Sequence, residues 1–296
     1  MSNELFMAAK NGQPFGNATE LFKPYGARVK DVTMYVMGSS EKGSSGNYWT
    51  TLDHFPNYNA TKFTLNSDGT LTTDDKKQRS SEARVYTYDP NDPVPSLGGS
   101  NLFLPCGPYD QSKNFNRTDI LLYKTDPFEA PYALTGPMRA NLQVMSDQID
   151  TDFYVKIMDV YPTGEHKLIQ EGGSRVRNMI HGYMKENEVY SLDISMWNTS
   201  YVFSQGHSIG ISVTSSNHPR FSVNPNNGRA ITDPKLFDDV FVASNSILPS
   251  SYVELPVVAL ADLPKTDVVD EINEKFDEKY AKAMISATHG KPDFFS

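Results

Sequence analysis

Gly206-His207-Ser208-Ile209-Gly210 fits G-x-S-x-G, the string of a nucleophile elbow, in which a serine on a sharp strand-to-helix turn is activated by a histidine and an acid. Asp233 or Asp238 followed by His289 would supply acid and base in the required order. The residues after Gly210, however, read ISVTSS, which is strand rather than helix, so the string is expected to open an ordinary strand. Asp147, Asp150 and Asp152 could offer oxygen ligands to a hard cation such as calcium; lying in a polar break between two strands, they are read as a solvated turn. The histidines, at 54, 166, 181, 207, 218 and 289, show neither H-x-x-x-H nor H-E-x-x-H spacing, so no zinc site is expected. Trp49, Tyr86, Tyr88 and Tyr109 could stack on a sugar, although aromatics in β-proteins serve packing more often. Cys106 has no identifiable activating base and is read as structural. These patterns predict no catalytic residue, no metal and no cofactor.

The elements that would position such residues are strands. Met138, Ala140, Leu142 and Val144 alternate with polar neighbours, and Phe153, Val155 and Ile157 repeat the pattern after a polar break. Tyr161-Pro162-Thr163-Gly164 then has turn chemistry, so residues 134–177 read as an antiparallel strand, turn, strand, turn, strand. Further strands are expected at 29–37, 120–124, 189–196 and 208–214, 84–99 begins as a strand before turning extended, and a hairpin over 62–71 turns at Ser67-Asp68-Gly69. Residues 251–258 are expected to form a closing edge strand, because Pro256 would disrupt an interior ladder. The prolines at 90, 93 and 95 predict an extended segment running over another surface of the protein. About nine short strands separated by turns predict an all-β, antiparallel jelly-roll sandwich.

The two ends read differently. Residues 1–28 form an arm broken by glycines and prolines, and 29–260 the sandwich. Within 261–296 the period becomes helical from Thr266 to Thr288, with Asp267 as cap and Gly290 and Pro292 as stops. Val269, Ile272, Phe276, Tyr280 and Ala283 form an apolar stripe that predicts a partner-binding helix, packed either on its own sandwich or on a neighbour.

Composition narrows the partners. The 296 residues carry a formal charge of -9, which argues against nucleic acid and against an anionic membrane surface. A single cysteine allows neither an internal disulfide nor a four-cysteine metal site. The first residues lack the basic-then-apolar pattern of a signal peptide, and no apolar run approaches the roughly 20 residues of a membrane span. The expected location is therefore the cytoplasm, and the sequons at Asn17, Asn59, Asn116 and Asn198 are read as chance matches.

Five motifs in order, YVMG (35–38), YTYDPNDPVPSLGG (86–99), DILLYKTDPF (119–128), the stretch 134–164 and SSNHPRFSVNPNNG (215–228), resemble one family. It is the C-terminal domain of X-prolyl dipeptidyl peptidases, cocaine-esterase-type hydrolases and α-amino-acid ester hydrolases. The resemblance implies a galactose-binding-like jelly roll over roughly 29–258. It also implies that the family's Ser-Asp-His triad belongs to an α/β-hydrolase domain, so no triad position exists here to receive it.

Three function classes follow. The first is a non-catalytic binding or structural module acting through protein–protein contacts, as a subunit of a larger assembly such as a cytoskeletal or axonemal lattice. The second is the accessory half of a split serine hydrolase or dipeptidyl peptidase, with 89–95 and 217–228 facing the catalytic partner. The third is a soluble protein binding a carbohydrate or other small ligand. The first is expected.

Overall fold

A computed structural model describes residues 28–73 and 82–274. They fall into two compact units, a small one (28–36, 48–56 and 261–274) and a large one (37–47, 57–73 and 82–260).

In the small unit β2 (Tyr48–Leu52) is the central strand. It pairs antiparallel with β1 (Val32–Gly38) through Val32↔Leu52 to Val36↔Tyr48, and on its other edge with the short β14 (Lys265–Thr266). Tyr48 donates to the Leu263 carbonyl (2.9 Å), and the rings of Tyr35 and Trp49 meet edge to face. The helix expected from Thr266 is present over 268–274, with the Glu271 N–H bonded to the Asp267 carbonyl. Arg28 grips its first turn through Asp267 and Glu271. The side chain this turn buries completely is Val268; Val269 and Ile272 are half-buried. Phe276, Tyr280, Ala283, His289 and the arm at 1–27 lie outside the described residues.

The large unit is a two-sheet β-sandwich. Its organising strand is β7 (Tyr132–Ser146), fifteen residues alternating between buried and more exposed positions beyond Gly136. One edge of β7 pairs along its length with β10 (Tyr190–Phe203). The other edge pairs first with β13 (Tyr252–Val258) and then with β12 (Ala243–Ile247). β13 continues to β3 (Asn59–Leu65) and β4 (Leu71–Thr72), while β12 continues to β5 (Arg84–Tyr88). The last residues of β1, Met37 and Gly38, lie parallel to Tyr201 and Val202 of β10.

The second sheet runs β6 (Leu121–Lys124), β11 (Ser208–Thr214), β8 (Asp152–Val160), β9 (His166–Arg175), all antiparallel. Its Phe153, Val155, Ile157, Ile209 and Val213 share one core with Leu134, Met138, Leu142, Leu192 and Ile194 of the first sheet. A short helix, α1 (Val176–Ile180), follows β9.

One expectation is corrected. The strand at 251–258 is interior, between β7 and β3, not an edge; its register against β7 shifts between Glu254 and Val257, so the missing Pro256 N–H falls in a bulge. Residues 89–95 and 217–228 are bonded to each other, with exposed residues such as Asn91, Asp92, Pro219 and Ser222 beside buried ones. Ser96 and His218 exchange backbone bonds with one another's segments, and Val94, Asn217, Asn224 and Asn226 are buried. The proline segment runs over another part of the large unit, where the Val94 N–H donates to the Ser216 hydroxyl (2.9 Å) and Asn114 donates to the Pro95 carbonyl (3.0 Å).

Candidate functional site

Every residue of β8 is buried, which forces its polar members to find partners inside the protein. Asp159 accepts from the Tyr201 hydroxyl (2.8 Å) and faces His207 Nδ1 (2.8 Å); His207 Nε2 faces Glu41 (3.2 Å), and its ring packs on Tyr161. Burial pushes the Asp159 carboxyl above the ordinary carboxylate range, against the opposing bonds from Tyr201 and His207. Burial beside Asp159 likewise raises the Tyr201 phenol.

A buried Asp–His pair is two-thirds of a triad, but the third member is missing. Both imidazole nitrogens face carboxylates, leaving none for a hydroxyl. Ser208 is 3% exposed and sits in the β11 ladder opposite Val160, followed by strand. The G-x-S-x-G string is thus a strand entry, as read from ISVTSS. The cluster holds the loop 39–47 in place, helped by a bond from the Ser40 N–H to the Tyr161 hydroxyl (3.0 Å).

This loop forms one wall of a cavity of about 300 Å³. Leu168, Ile169 and Glu171 of β9 also line it, and the ends of the loop 99–107 close its other side. Gly99 and Gly107 exchange two backbone bonds (2.8 and 3.1 Å), pinching that loop at its root; Gly98, Gly99 and Gly107 all have positive φ. Arg220 fixes the root further: its guanidinium pairs with the buried Glu171 (2.5 Å) and donates to the Ser100 carbonyl and the Asn101 side chain. Asn217 donates to the other oxygen of Glu171 (2.7 Å). From this anchored base Leu102 and Phe103 project with 92% and 98% of their surface exposed, beside the exposed Cys106.

The remaining sequence candidates are dispersed. Asp150 and Asp152 are fully buried, so the solvated turn expected there is corrected. Asp152 is bonded to Arg175, Asn224 and Tyr154, and Arg177 lies 3.5 Å from Asp150. Asp147 accepts from the Ser244 backbone (2.8 Å). Among the described residues no group of three or more His, Cys, Asp or Glu side chains could hold a metal. Tyr86 and Tyr88 are core residues bonded to Ser215 and to the Asn224 carbonyl, Trp49 packs on Tyr35, and Tyr109 alone of the four is exposed.

Two features were missed from sequence, the Leu102–Phe103 tip and Trp197, which is 71% exposed. The signal for Trp197 was present: with Leu192, Ile194 and Met196 facing inward, an adjacent tryptophan must face out.

Residues 26–248 match the family model of the X-Pro dipeptidyl-peptidase C-terminal non-catalytic domain. The chain is 35% identical over 247 residues to cocaine esterase of Rhodococcus sp. (strain MB1 Bresler), covering 78% of this chain and 42% of that protein. It thus spans less than half the length of this relative. Among solved structures, it is similar to an aminopeptidase from the marine sediment archaeon Thaumarchaeota archaeon (TM-score 0.64, 21% identity, 72% of this chain and 39% of that one). It is equally similar to an α-amino acid ester hydrolase (TM-score 0.63, 23% identity, covering 72% and 39%). At these identities the structural likeness speaks for the fold alone. Among the described residues no helix is long and apolar enough to cross a membrane.

Proposed function

The chain belongs to the family of X-Pro dipeptidyl-peptidase C-terminal non-catalytic domains, and from that premise we propose that it works as a binding module acting through protein–protein contacts, as one component of a larger assembly. One observation carries this reading. The loop 99–107 presents Leu102 and Phe103 almost fully to solvent from a root held by paired glycines and by the Glu171–Arg220 pair. Two adjacent large apolar side chains on an anchored projection suit a pocket on another protein, since phenylalanine is enriched at interfaces and exposed apolar groups mark interaction sites. The Asp159–His207 pair, occupied by Glu41 in place of a hydroxyl, supports a role without catalysis.

A second reading, favoured by the hydrolase relatives, makes the partner an α/β-hydrolase. Crosslinking mass spectrometry of the natively purified chain tests both readings. The expected result is a protein partner crosslinked next to loop 99–107 and lost on Leu102→Ser/Phe103→Ser, a pair of exposed changes that leaves the circular dichroism spectrum unaltered. A hydrolase at equal stoichiometry selects the second reading; a filament or lattice protein selects a structural subunit. A chain that remains monomeric and uncrosslinked, with and without the substitutions, overturns both.

A further inference from the structure

We infer that the partner met by the 99–107 tip is a second copy of this chain, each copy setting Leu102 and Phe103 into the other's cavity between the loop 39–47 and β9. The inference rests on the tip being an interaction site, as proposed above, and names what it meets. Projection and recess are neighbours within the large unit. Gly99, Ser100, Gly107 and Pro108 form one side of the cavity, and Leu102 and Phe103 rise from that side, almost wholly exposed. A side chain at Gly99 would strike the Glu171 carboxylate of β9, so glycine there lets the loop root lie directly on the cavity wall. A face that carries a projection beside a matching recess is self-complementary. A two-fold axis between two such faces sets each projection over the other copy's recess, a closed and isologous contact.

Size, lining and charge agree with this occupant. A cavity of about 150 Å³ suffices for benzene, so one of about 300 Å³ has room for the Phe103 ring and the Leu102 side chain together. Its walls offer the apolar surfaces of Met37, Leu168, Ile169 and the Tyr161 ring. The charged side chains that line it are matched within the chain, Lys167 by Glu165 (2.7 Å) and Glu171 by Arg220. From Pro93 to Tyr109, tip included, the sequence holds no charged residue, in a chain of formal charge -9. Two copies of so acidic a chain repel, and a neutral patch is where that repulsion opposes their approach least. Burying both tips, on the order of 350 Å² each, against walls of like area removes about 1,400 Å², within the roughly 1,200–2,000 Å² of stable interfaces.

Sedimentation velocity of the purified full chain is expected to show a reversible monomer–dimer equilibrium. Leu102→Ser/Phe103→Ser removes the tip, and Ser40→Trp, at an exposed position on the cavity wall, fills the recess. Each is expected to weaken the dimer at least tenfold with circular dichroism unchanged. The decisive sample is the two variants mixed. In either variant's own dimer both contacts are broken, whereas in the mixed dimer one intact tip meets one intact recess. The mixture is therefore expected to associate more tightly than either variant alone. A mixture no tighter than its components, a dimer insensitive to both sets of substitutions, or a wild-type chain monomeric up to about 0.1 mM overturns the proposal. With a monomeric wild-type chain, a tip-dependent crosslink to a different protein leaves the tip standing as an interaction site, and no tip-dependent crosslink removes both.

Discussion

Asp159 and His207 show how a catalytic-looking pair can serve architecture. Their bonds to Tyr201 and Glu41 use the orientations a hydrolytic site would need for its nucleophile and join β8, β10 and the loop 39–47 at one point. Ser208→Ala is accordingly expected to leave any hydrolysis of p-nitrophenyl acetate by the purified chain unchanged; a loss of activity would restore the elbow. Asp150 offers a second residue-scale test. Burial, reinforced by Asp152, raises its carboxyl, and neither of its oxygens has a hydrogen-bond partner. For an acid raised in the folded state, stability is fully present below the unfolded value near 3.9 and is lost as pH rises through the folded one. Asp150→Asn is therefore expected to flatten the fall in stability above about pH 4. At pH 8 it should gain on the order of 1 kcal/mol by urea denaturation, the scale of one unsatisfied buried group. At pH 3 the two chains should match.

At the scale of elements, alternation made the strands legible and composition hid the exceptions. Met138 to Val144 and Leu192 to Met196 announce their inward faces because apolar and polar residues strictly alternate. β12 reads Ala-Ser-Asn-Ser-Ile and has no such signal; its place is set by pairing with β5 and β7 and by Asn245 bonding Ser215 and Thr151 inside the protein. Pro256 was legible as a ladder breaker but not as a bulge, since a bulge depends on what the neighbouring strand does. The anchored loop was equally hidden, because Arg220 and Glu171 meet only in the folded chain. Arg220→Ala would strand the Glu171 carboxylate in the interior, a change that costs about 3–5 kcal/mol for a buried pair. Faster amide exchange over 99–107 is expected with it, measured by mass spectrometry, while β7 and β8 keep their protection. Uniform exchange across the variant would mean the pair does not hold the loop.

For the molecule as a whole, the serine string could be read from sequence as a strand entry, whereas the cavity, the projecting tip and the outward indole arise from backbone geometry. The two compact units supply a further test. The core of the large unit draws on residues up to Leu255 and β13 ends at Val258, so a chain stopped after Leu260 is expected to keep the near-ultraviolet circular dichroism of that core. It loses β14 and Val268, whose packing belongs to the small unit, and protection of Tyr48–Leu52 in hydrogen exchange should fall. Collapse of the near-ultraviolet spectrum would show that the large unit needs the segment after 260.

β7 has a consequence for how this protein is made. Its partners are β10, β12 and β13, so the strand at 132–146 finds no ladder until residues 190–203 exist, and its second edge stays open until residues 243–258 follow. During synthesis at about 5–20 residues per second, that leaves a strand of alternating apolar residues unpaired for several seconds on the ribosome. Pairings this distant in sequence are also slow to form once complete. Yield in a heterologous host should therefore depend on translation speed and on chaperones that shield nascent strands, more than on the stability of the finished sandwich.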